Sequence, residues 1–164
     1  MTQPNIEIDI TIQEECWNDA INDIDNLIRE AISTALHNHI NALESVEISI
    51  VLADDHIIQE LNKAYREKDM PTNVLSFPMS EPKDLKKPLI PFCSLGDIIL
   101  AYETITREAK EQNKRLSDHF THMLVHGCLH LLHYDHIDND EAEVMEKQEI
   151  TILAQLGIKN PYES

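Results

Sequence analysis

The pattern of apolar and polar residues divides the chain into short strands and amphipathic helices. Strand patterns occur in four segments: 5–10, 45–52, 74–77 and 95–100. Apolar residues at helical spacing predict five helices: 17–36, from Asp54 or Asp55 through Tyr65, from about 101 to 114, from Ser117 or Asp118 to about 133, and from Asp138 to 157. Because strands and helices do not alternate strictly, the pattern predicts an α+β fold. We expect one compact domain over residues 1–164, with a small mixed sheet of about four strands packed by about five helices.

One segment between the third and fourth predicted strands shows neither pattern. Residues 79–91 contain three prolines and three lysines. A connection of this length and composition is typical of a functional surface loop. We therefore expect a long loop that acts as a lid or a binding loop.

The composition is that of a globular chain without a membrane span or a disulfide framework. Its 164 residues are 42% apolar, which is enough for one domain with its own core. No uncharged apolar run approaches the roughly 20 residues that a membrane-spanning helix needs, and residues 1–10 lack the features of a signal peptide. The three cysteines share no metal-type spacing, so we expect reduced thiols without disulfide partners in a cytoplasmic protein.

The net charge argues against a nucleic-acid partner. It is −17, which repels phosphate polymers at long range. The charge is uneven, however, because residues 59–87 carry six Lys and Arg against five Asp and Glu. An anion therefore has one tolerable approach, although composition alone favours a partner other than nucleic acid.

Six of the nine histidines lie between His119 and His136. His126 and His130 are one helical turn apart and point the same way, and a chain reversal can return His136 to them. Three imidazole nitrogens without a fourth protein ligand leave a position open for water, as in catalytic zinc sites. The spacing therefore predicts a metal-dependent hydrolase with its metal site at the end of a central helix. We expect His119 and His122 to pack or to donate hydrogen bonds, although either could lie near the site.

The offsets of these histidines equal those of the metzincin peptidase signature, H-E-x-x-H-x-x-G-x-x-H. Here Gly127 replaces the glutamate that serves as general base, and His133 replaces the turn glycine. Without that glutamate the peptidase mechanism lacks its proton acceptor. The pattern thus keeps the metal geometry without the peptidase chemistry, and it assigns no general base.

Three ordered blocks of the chain match the patterns of one known family. Residues 122–136, HMLVHGCLHLLHYDH, correspond to H-G-x-L-H-L-x-G-Y-D-H. Residues 65–78, YREKDMPTNVLSFP, correspond to Y-R-x-x-D-x-P-T-D-V-L-S-F, and residues 95–99, LGDII, to L-G-D-I. In these blocks the chain resembles the YbeY family of rRNA maturation endoribonucleases. The resemblance extends over residues 60–156, and residues 1–50 add little to it.

The resemblance implies a zinc-dependent endoribonuclease that cleaves single-stranded RNA. The family acts in ribosomal RNA maturation, notably at the small-subunit 3′ end, and in ribosome quality control. The implied partners are single-stranded ribosomal RNA, the ribosome or its small-subunit proteins, and an assembly GTPase. The implied metal ligands are His126, His130 and His136, which spacing also selects. One zinc ion is the expected cofactor, although three histidines also suit other divalent transition metals.

The essential arginine of the family corresponds to Arg66. Its planar guanidinium can bind two phosphate oxygens at once. Arg66 and the implied metal ligand His126 are therefore the candidate catalytic residues. The alternative for Arg66 is a surface ion pair with Glu67 or Asp69.

Four further residues are candidates for supporting roles at the site. Lys63 and Lys86 are candidate substrate-binding cations together with Arg66, because a strand of RNA needs local positive charge in this acidic chain. Asp135 and Asp97 are candidate acceptors that would orient a ligand histidine from behind.

Two positions depart from the family pattern. The turn glycine is His133 here. This histidine must adopt the backbone conformation of that glycine, which destabilises the fold somewhat if φ is positive. The aspartate after Pro-Thr is Asn73, which removes a charge. We expect metal binding to survive both changes because the three ligands are intact.

Three other hypotheses remain open on the sequence. The chain could be a ribosome-assembly factor with a mainly structural metal. It could be a metal hydrolase of another bond, such as a peptide or an ester. It could also be an acidic interaction module with incidental histidines.

Overall fold

The computed structural model describes residues 3–163, so residues 1, 2 and 164 of the predicted domain lie outside the described residues. The described chain forms four strands and seven helices. The strands are β1 (Asn5–Ile12), β2 (Ser45–Ala53), β3 (Val74–Pro78) and β4 (Phe92–Ala101). The helices are α1 (Cys16–Ala20), α2 (Ile24–Leu36), α3 (Asp55–Arg66), α4 (Pro82–Lys86), α5 (Tyr102–Glu111), α6 (Leu116–Leu131) and α7 (Asn139–Gln155).

The four strands form one mixed sheet in the order β1-β2-β4-β3. Strands β1, β2 and β4 are parallel, and β3 runs antiparallel to β4 at the edge. The predicted α+β fold with a small mixed sheet is confirmed. The described residues form two helices more than the expected five, and each extra helix is short. The predicted helix 17–36 is divided into α1 and α2, and α4 lies in the predicted loop 79–91.

Helix α6 is the central helix of the fold. It contacts β3 and β4 as well as α2, α5 and α7, and its residues Phe120, Leu124 and Leu129 are fully buried. A helix that is surrounded in this way must be apolar on nearly all sides, which explains why it has no polar face. The histidines that it carries are therefore held by packing. Within residues 3–163, no helix is long and apolar enough to span a membrane.

Of three helix boundaries compared with the sequence prediction, that of α3 agrees and two differ. The predicted helix 17–36 is interrupted after α1, because Asp23 adopts a left-handed conformation with φ of 53°. Asp54 caps α3 by accepting a hydrogen bond from the Ile57 backbone N–H at 2.8 Å. Helix α6 begins before the predicted start at Ser117 or Asp118, since the chain is extended at Arg115 and both residues already lie in the first turn.

Strand β4 contains a bulge at the point where it is paired with both β2 and β3. The register with β2 shifts between Glu47 and Ile48, and Gly96 of β4 has φ of 134° there. A Cβ atom on Gly96 would lie 2.2 Å from the Phe77 carbonyl oxygen. Only glycine fits this position, which gives a physical reason for the glycine of the L-G-D-I block.

Candidate metal centre

The chain reversal after α6 is a Schellman turn with histidine in the left-handed position. The Tyr134 N–H donates to the Leu129 carbonyl at 2.9 Å, and the His133 N–H donates to the His130 carbonyl at 3.0 Å. Both bonds are those that close this type of helix end, where glycine is the usual residue. His133 has φ of 73°, so it adopts the positive φ considered for the family glycine. The turn brings residues 134–136 back against the helix.

The three histidines predicted as metal ligands lie together at this turn. One nitrogen of His126, one of His130 and one of His136 all lie within 4.8 Å of one another. The two helical ligands are closest, with Nε2 of His126 3.1 Å from Nε2 of His130. The structure thus brings together the three side chains that spacing selected.

The second nitrogen of each helical ligand faces an acceptor. Nδ1 of His130 lies 3.1 Å from the Tyr134 carbonyl oxygen, and Nδ1 of His126 lies 3.5 Å from a carboxylate oxygen of Glu149. These acceptors favour the tautomer with the proton on Nδ1, which leaves both Nε2 lone pairs facing each other. Two lone pairs at this distance repel each other unless a cation lies between them.

The donor set fits a transition metal. All three donors are imidazole nitrogens, which suit zinc and its neighbours, whereas magnesium and calcium prefer oxygen ligands. Burial, together with the neighbouring rings of His126 and His136, lowers the pKa of His130 to about 4. The His130 ring is therefore neutral at physiological pH, as a metal ligand must be.

Glu149 is a candidate site residue that the sequence did not reveal. It lies on α7 with 1% of its surface exposed, accepts a hydrogen bond from Nε2 of His122 and accepts another from the Tyr162 hydroxyl at 2.9 Å. Burial acts to raise its pKa, but the hydrogen bonds from His122 and His126 outweigh burial and lower that pKa to about 2. The signal was a charged residue in register with Met145 and Ile152 on the buried side of α7.

Arg66 lines the same cavity as the three histidines. This histidine cavity has a volume of about 580 Å³, and it is also lined by residues 72–76, Pro78 and residues 133–135. The Arg66 guanidinium donates to the Ser76 carbonyl at 2.9 Å and lies 5.4 Å from the centre of the Phe77 ring. Its remaining N–H groups are free to bind an anion in the cavity. The alternative ion pair of Arg66 with Glu67 or Asp69 is not observed among residues 3–163.

Gly127 has a packing role at the position of the peptidase glutamate. A Cβ atom there would lie 2.9 Å from Cγ2 of Ile98 and 3.1 Å from Oγ of Ser76. Because α6 approaches the sheet this closely, the position has no room for a glutamate side chain. The fold itself therefore excludes the general base of the metzincin mechanism.

The other candidate site residues lie at different distances from the ligands. Lys63 lies 3.9 Å from Asp69 on the surface and does not line the histidine cavity. Lys86 lines a neighbouring cavity of about 510 Å³, which shares His133 and Tyr134 with the histidine cavity. Lys86 is therefore placed beside the site, and Lys63 is not.

The predicted acceptors for a ligand ring are replaced by other groups. Asp135 lines the histidine cavity. Its carboxylate accepts from the backbone N–H of His136 at 2.7 Å, so this hydrogen bond stabilises the turn and does not orient the imidazole ring of a ligand. Asp97 lies on the opposite face of the sheet, in a cavity it shares with Asp9 and Ser49, because Ile98 is the residue of β4 that faces α6. Asp97 therefore does not join the site.

Asn73 has a specific role in this chain. Its Nδ2 group donates to both carboxylate oxygens of Glu108, at 3.1 and 3.2 Å, and Glu108 also contacts Nε2 of His119 at 2.9 Å. An aspartate cannot donate these bonds and would repel Glu108. As expected, His119 and His122 are buried and hydrogen-bonded.

Comparison with known families agrees with this geometry. The sequence model of the family described as Endoribonuclease YbeY matches residues 9–157. The chain belongs to the YbeY family. The match includes all three blocks from the sequence and every residue of the histidine cavity.

Relatives in the YbeY family resemble the chain over most of its length. The Endoribonuclease YbeY of Paramagnetospirillum magneticum is 47% identical over 159 residues, which cover 96% of each chain. That of Magnetococcus marinus is 53% identical over 126 residues, covering 74% of this chain and 86% of the relative. A solution structure from Thermotoga maritima has the same fold, with a TM-score of 0.53 and 21% identity over 97% of this chain and 96% of the other.

Proposed function

We propose that this chain is a zinc-dependent endoribonuclease that cleaves single-stranded RNA within a single domain of residues 1–164. It acts in the cytoplasm on the 3′ end of small-subunit ribosomal RNA and in ribosome quality control. Its partners are the ribosome or its small-subunit proteins and an assembly GTPase. Membership of a family named for endoribonuclease activity supports cleavage of RNA.

The observation that carries this proposal is the pair of facing Nε2 atoms in the histidine cavity. His126 and His130 would hold the metal through these atoms, and His136 would complete the set of three ligands. A metal held there supplies the acidity that activates water at neutral pH. The cavity is open to the surface beside His136, which is exposed, so a phosphodiester group can reach the ligands.

Arg66 is the residue that we propose to bind the phosphate. Its guanidinium is held by the Ser76 carbonyl and the Phe77 ring, so it loses little further freedom when an anion binds. It can offer two N–H groups to two phosphate oxygens and stabilise the charge that develops on them. Arg66 thereby orients the bond that is cleaved.

A flexible single strand fits this site better than a duplex does. The three histidines line the histidine cavity together with residues 72–76, so the scissile phosphate must enter the cavity to reach them. Unpaired strands can bend their backbone and splay their bases into such a cavity, whereas a rigid A-form duplex cannot.

The net charge of −17 sets a limit on affinity for free RNA. Few phosphates can be neutralised by an acidic surface, and those contacts weaken further with salt. Specificity therefore comes largely from docking on a ribosomal particle, with Lys86 beside the site as a further phosphate contact. Neutralising Lys86 and measuring RNA binding at several salt concentrations tests this contact.

The proposal is tested by following the cleavage of a single-stranded ribosomal RNA fragment and of its duplex form. The zinc-loaded protein is compared with chelated protein and with His126→Ala, Arg66→Ala and Arg107→Ala variants. Arg107 is exposed on α5 and pairs with Glu111, so it is the matched control for loss of an arginine. We expect chelation and His126→Ala to abolish cleavage, and Arg66→Ala to lower kcat/KM by about 100-fold. Cleavage that persists in all variants would show a contaminating nuclease and overturn the proposal.

The same assay separates the proposal from a ribosome-assembly factor with a structural metal. In that case the zinc-loaded protein would cleave no RNA, and chelation would unfold it. A peptidase is disfavoured by the packing of Gly127 against Ile98.

A further inference from the structure

Three basic side chains meet at a small cavity beside the start of α6. Lys114, Arg115 and Lys159 line this basic cavity, which has a volume of about 230 Å³. Among residues 3–163, none of these three side chains forms an ion pair. Asp118 and Glu163 also line the cavity, so the basic residues remain in excess there although the whole chain carries −17.

The surroundings of Lys114 favour an anion in the basic cavity. Its Nζ donates to the Pro161 carbonyl at 2.9 Å, which fixes the ammonium group. Burial and the nearby charge of Lys159 both lower the pKa of Lys114, so the two ammonium groups repel each other. The first turn of α6 adds backbone N–H donors, because these groups have no partner within the helix and Arg115 at the N-cap provides no side-chain cap. A phosphate would relieve the repulsion and accept from these donors.

A second cavity lies between the basic cavity and the histidine cavity and shares lining residues with each of them. This middle cavity, of about 360 Å³, shares Asn73 and His126 with the histidine cavity. It shares Lys114, His119 and His122 with the basic cavity. Residues 115, 119, 122 and 126 lie along one side of α6, and the rise of the helix separates the first from the last by about 16 Å. That length corresponds to a few nucleotides of single-stranded RNA.

An aromatic ring is fixed and exposed in the middle cavity. Tyr162 lines it and is 49% exposed. Its hydroxyl donates to Glu149 at 2.9 Å, and its ring meets the His122 ring edge to face at 5.5 Å. An exposed ring held in this way is a platform on which a base can stack, whatever its sequence. The carboxylate in this cavity, Glu108, is covered by two hydrogen bonds from Asn73.

We propose that the RNA strand leaves the histidine cavity across Tyr162 and places a backbone phosphate in the basic cavity, bound by Lys114, Arg115 and Lys159. This path rests on the proposed function and adds to it the direction of the strand along α6. Such contacts position a strand without reading its sequence. They also place positive charge where an acidic protein needs it.

The test uses a double variant, Arg115→Gln/Lys159→Gln, which leaves the Lys114 bond to Pro161 in place. The matched control is Arg29→Gln/Lys147→Gln, which removes the same charge from two exposed residues of α2 and α7. Zinc-loaded proteins cleave two single-stranded RNA substrates: a dinucleotide, which is too short to reach from the histidine cavity to the basic cavity, and a strand of about twelve nucleotides, within the range of known single-strand sites. KM and kcat are measured at several salt concentrations.

We expect the double variant to raise KM for the long substrate about tenfold and to leave kcat unchanged. The dependence of log kcat/KM on log salt should become shallower by about 0.7 for each lost phosphate contact. The short substrate and the control variant should behave like the wild type. An unchanged KM for the long substrate, or an equal change in the control, overturns the path while RNA cleavage by the wild type upholds the proposed function. Failure of the wild type to cleave RNA overturns both.

The stacking role of Tyr162 has its own pair of variants. Tyr162→Phe removes the bond to Glu149 but keeps the ring, whereas Tyr162→Leu removes both. We expect only the leucine variant to raise KM for the long substrate, by about tenfold, the range of base-aromatic stacking. Equal effects of the two variants would assign the loss to the Glu149 bond and overturn the platform.

Discussion

Glutamine in place of Glu149 removes a buried charge behind the metal centre and changes little else. Glutamine has almost the same volume, and its carbonyl oxygen can still accept from the Tyr162 hydroxyl. It cannot serve as a charged acceptor for Nε2 of His122 and Nδ1 of His126. The variant therefore isolates the charge of Glu149 from its packing.

The expected loss of stability follows from the pKa of Glu149. Hydrogen bonds from His122 and His126, acting against burial, lower that pKa to about 2 from the value of 4.5 for an unperturbed glutamate. At 1.36 kcal/mol per pKa unit, the charged form stabilises the folded state by about 3 kcal/mol. Because the folded pKa is lowered, this stabilisation is complete above about pH 5 and is lost as the pH falls from about 4.5 towards 2.

The assay is denaturant unfolding of metal-free wild type and Glu149→Gln protein between about pH 3 and about pH 7. We expect a difference of about 3 kcal/mol near neutral pH that falls to about half near pH 3. The control is Glu146→Gln, an exposed residue of the same helix, which should show no such pH-dependent difference. A difference for Glu149→Gln that does not change with pH would refute the reasoning, because it would reflect altered packing and not the charge.

The same variant tests whether Glu149 positions a metal ligand. An acceptor on Nδ1 of His126 fixes the ring with Nε2 towards the metal, and loss of such an acceptor typically weakens binding 10- to 100-fold. Competition with a chelating dye measures zinc affinity without reference to catalysis. Unchanged affinity in Glu149→Gln would leave the residue with a structural role alone.

Three further predictions concern the turn, the helix contact and the titration of the site. His133→Gly should raise the free energy of unfolding by about 1 kcal/mol, because glycine removes the cost of a positive φ; denaturant unfolding checks this, and a loss of stability would contradict it. Gly127→Ala should lower that free energy by about 1–3 kcal/mol, since its Cβ would crowd Ile98; an unchanged free energy of unfolding in the same measurement would contradict this. In metal-free protein the His130 ring should titrate by NMR near pH 4, because burial lowers its pKa. As the pH drops, the unfolded chain therefore binds a proton on this ring before the folded chain does, and the free energy of unfolding falls between about pH 6.5 and pH 4. A midpoint near 6.5 would contradict the buried, neutral ligand.

The sequence predicts the ligands well because their geometry is local. His126 and His130 belong to one helix, so helical periodicity alone places them on one side. His136 needs only the chain reversal at His133. The strands and most helices are likewise predicted by local periodicity.

Other features depend on contacts between distant segments, which periodicity does not encode. Glu149 reaches the site because α7 packs against α6, and the pattern along α7 shows only that it is buried. Asp97 was expected near the site, but the sequence alone does not show which face of β4 meets α6. The break at Asp23 was missed because the apolar spacing continues across it.

The most direct test of the metal-dependent endoribonuclease is a zinc titration of the metal-free protein. Bound zinc and cleavage of single-stranded RNA are measured on the same samples, with His130→Ala as the comparison. We predict that both quantities rise together and saturate at one zinc ion per chain, and that His130→Ala shows neither. Full cleavage before zinc is added, or undiminished cleavage by His130→Ala, would contradict the account.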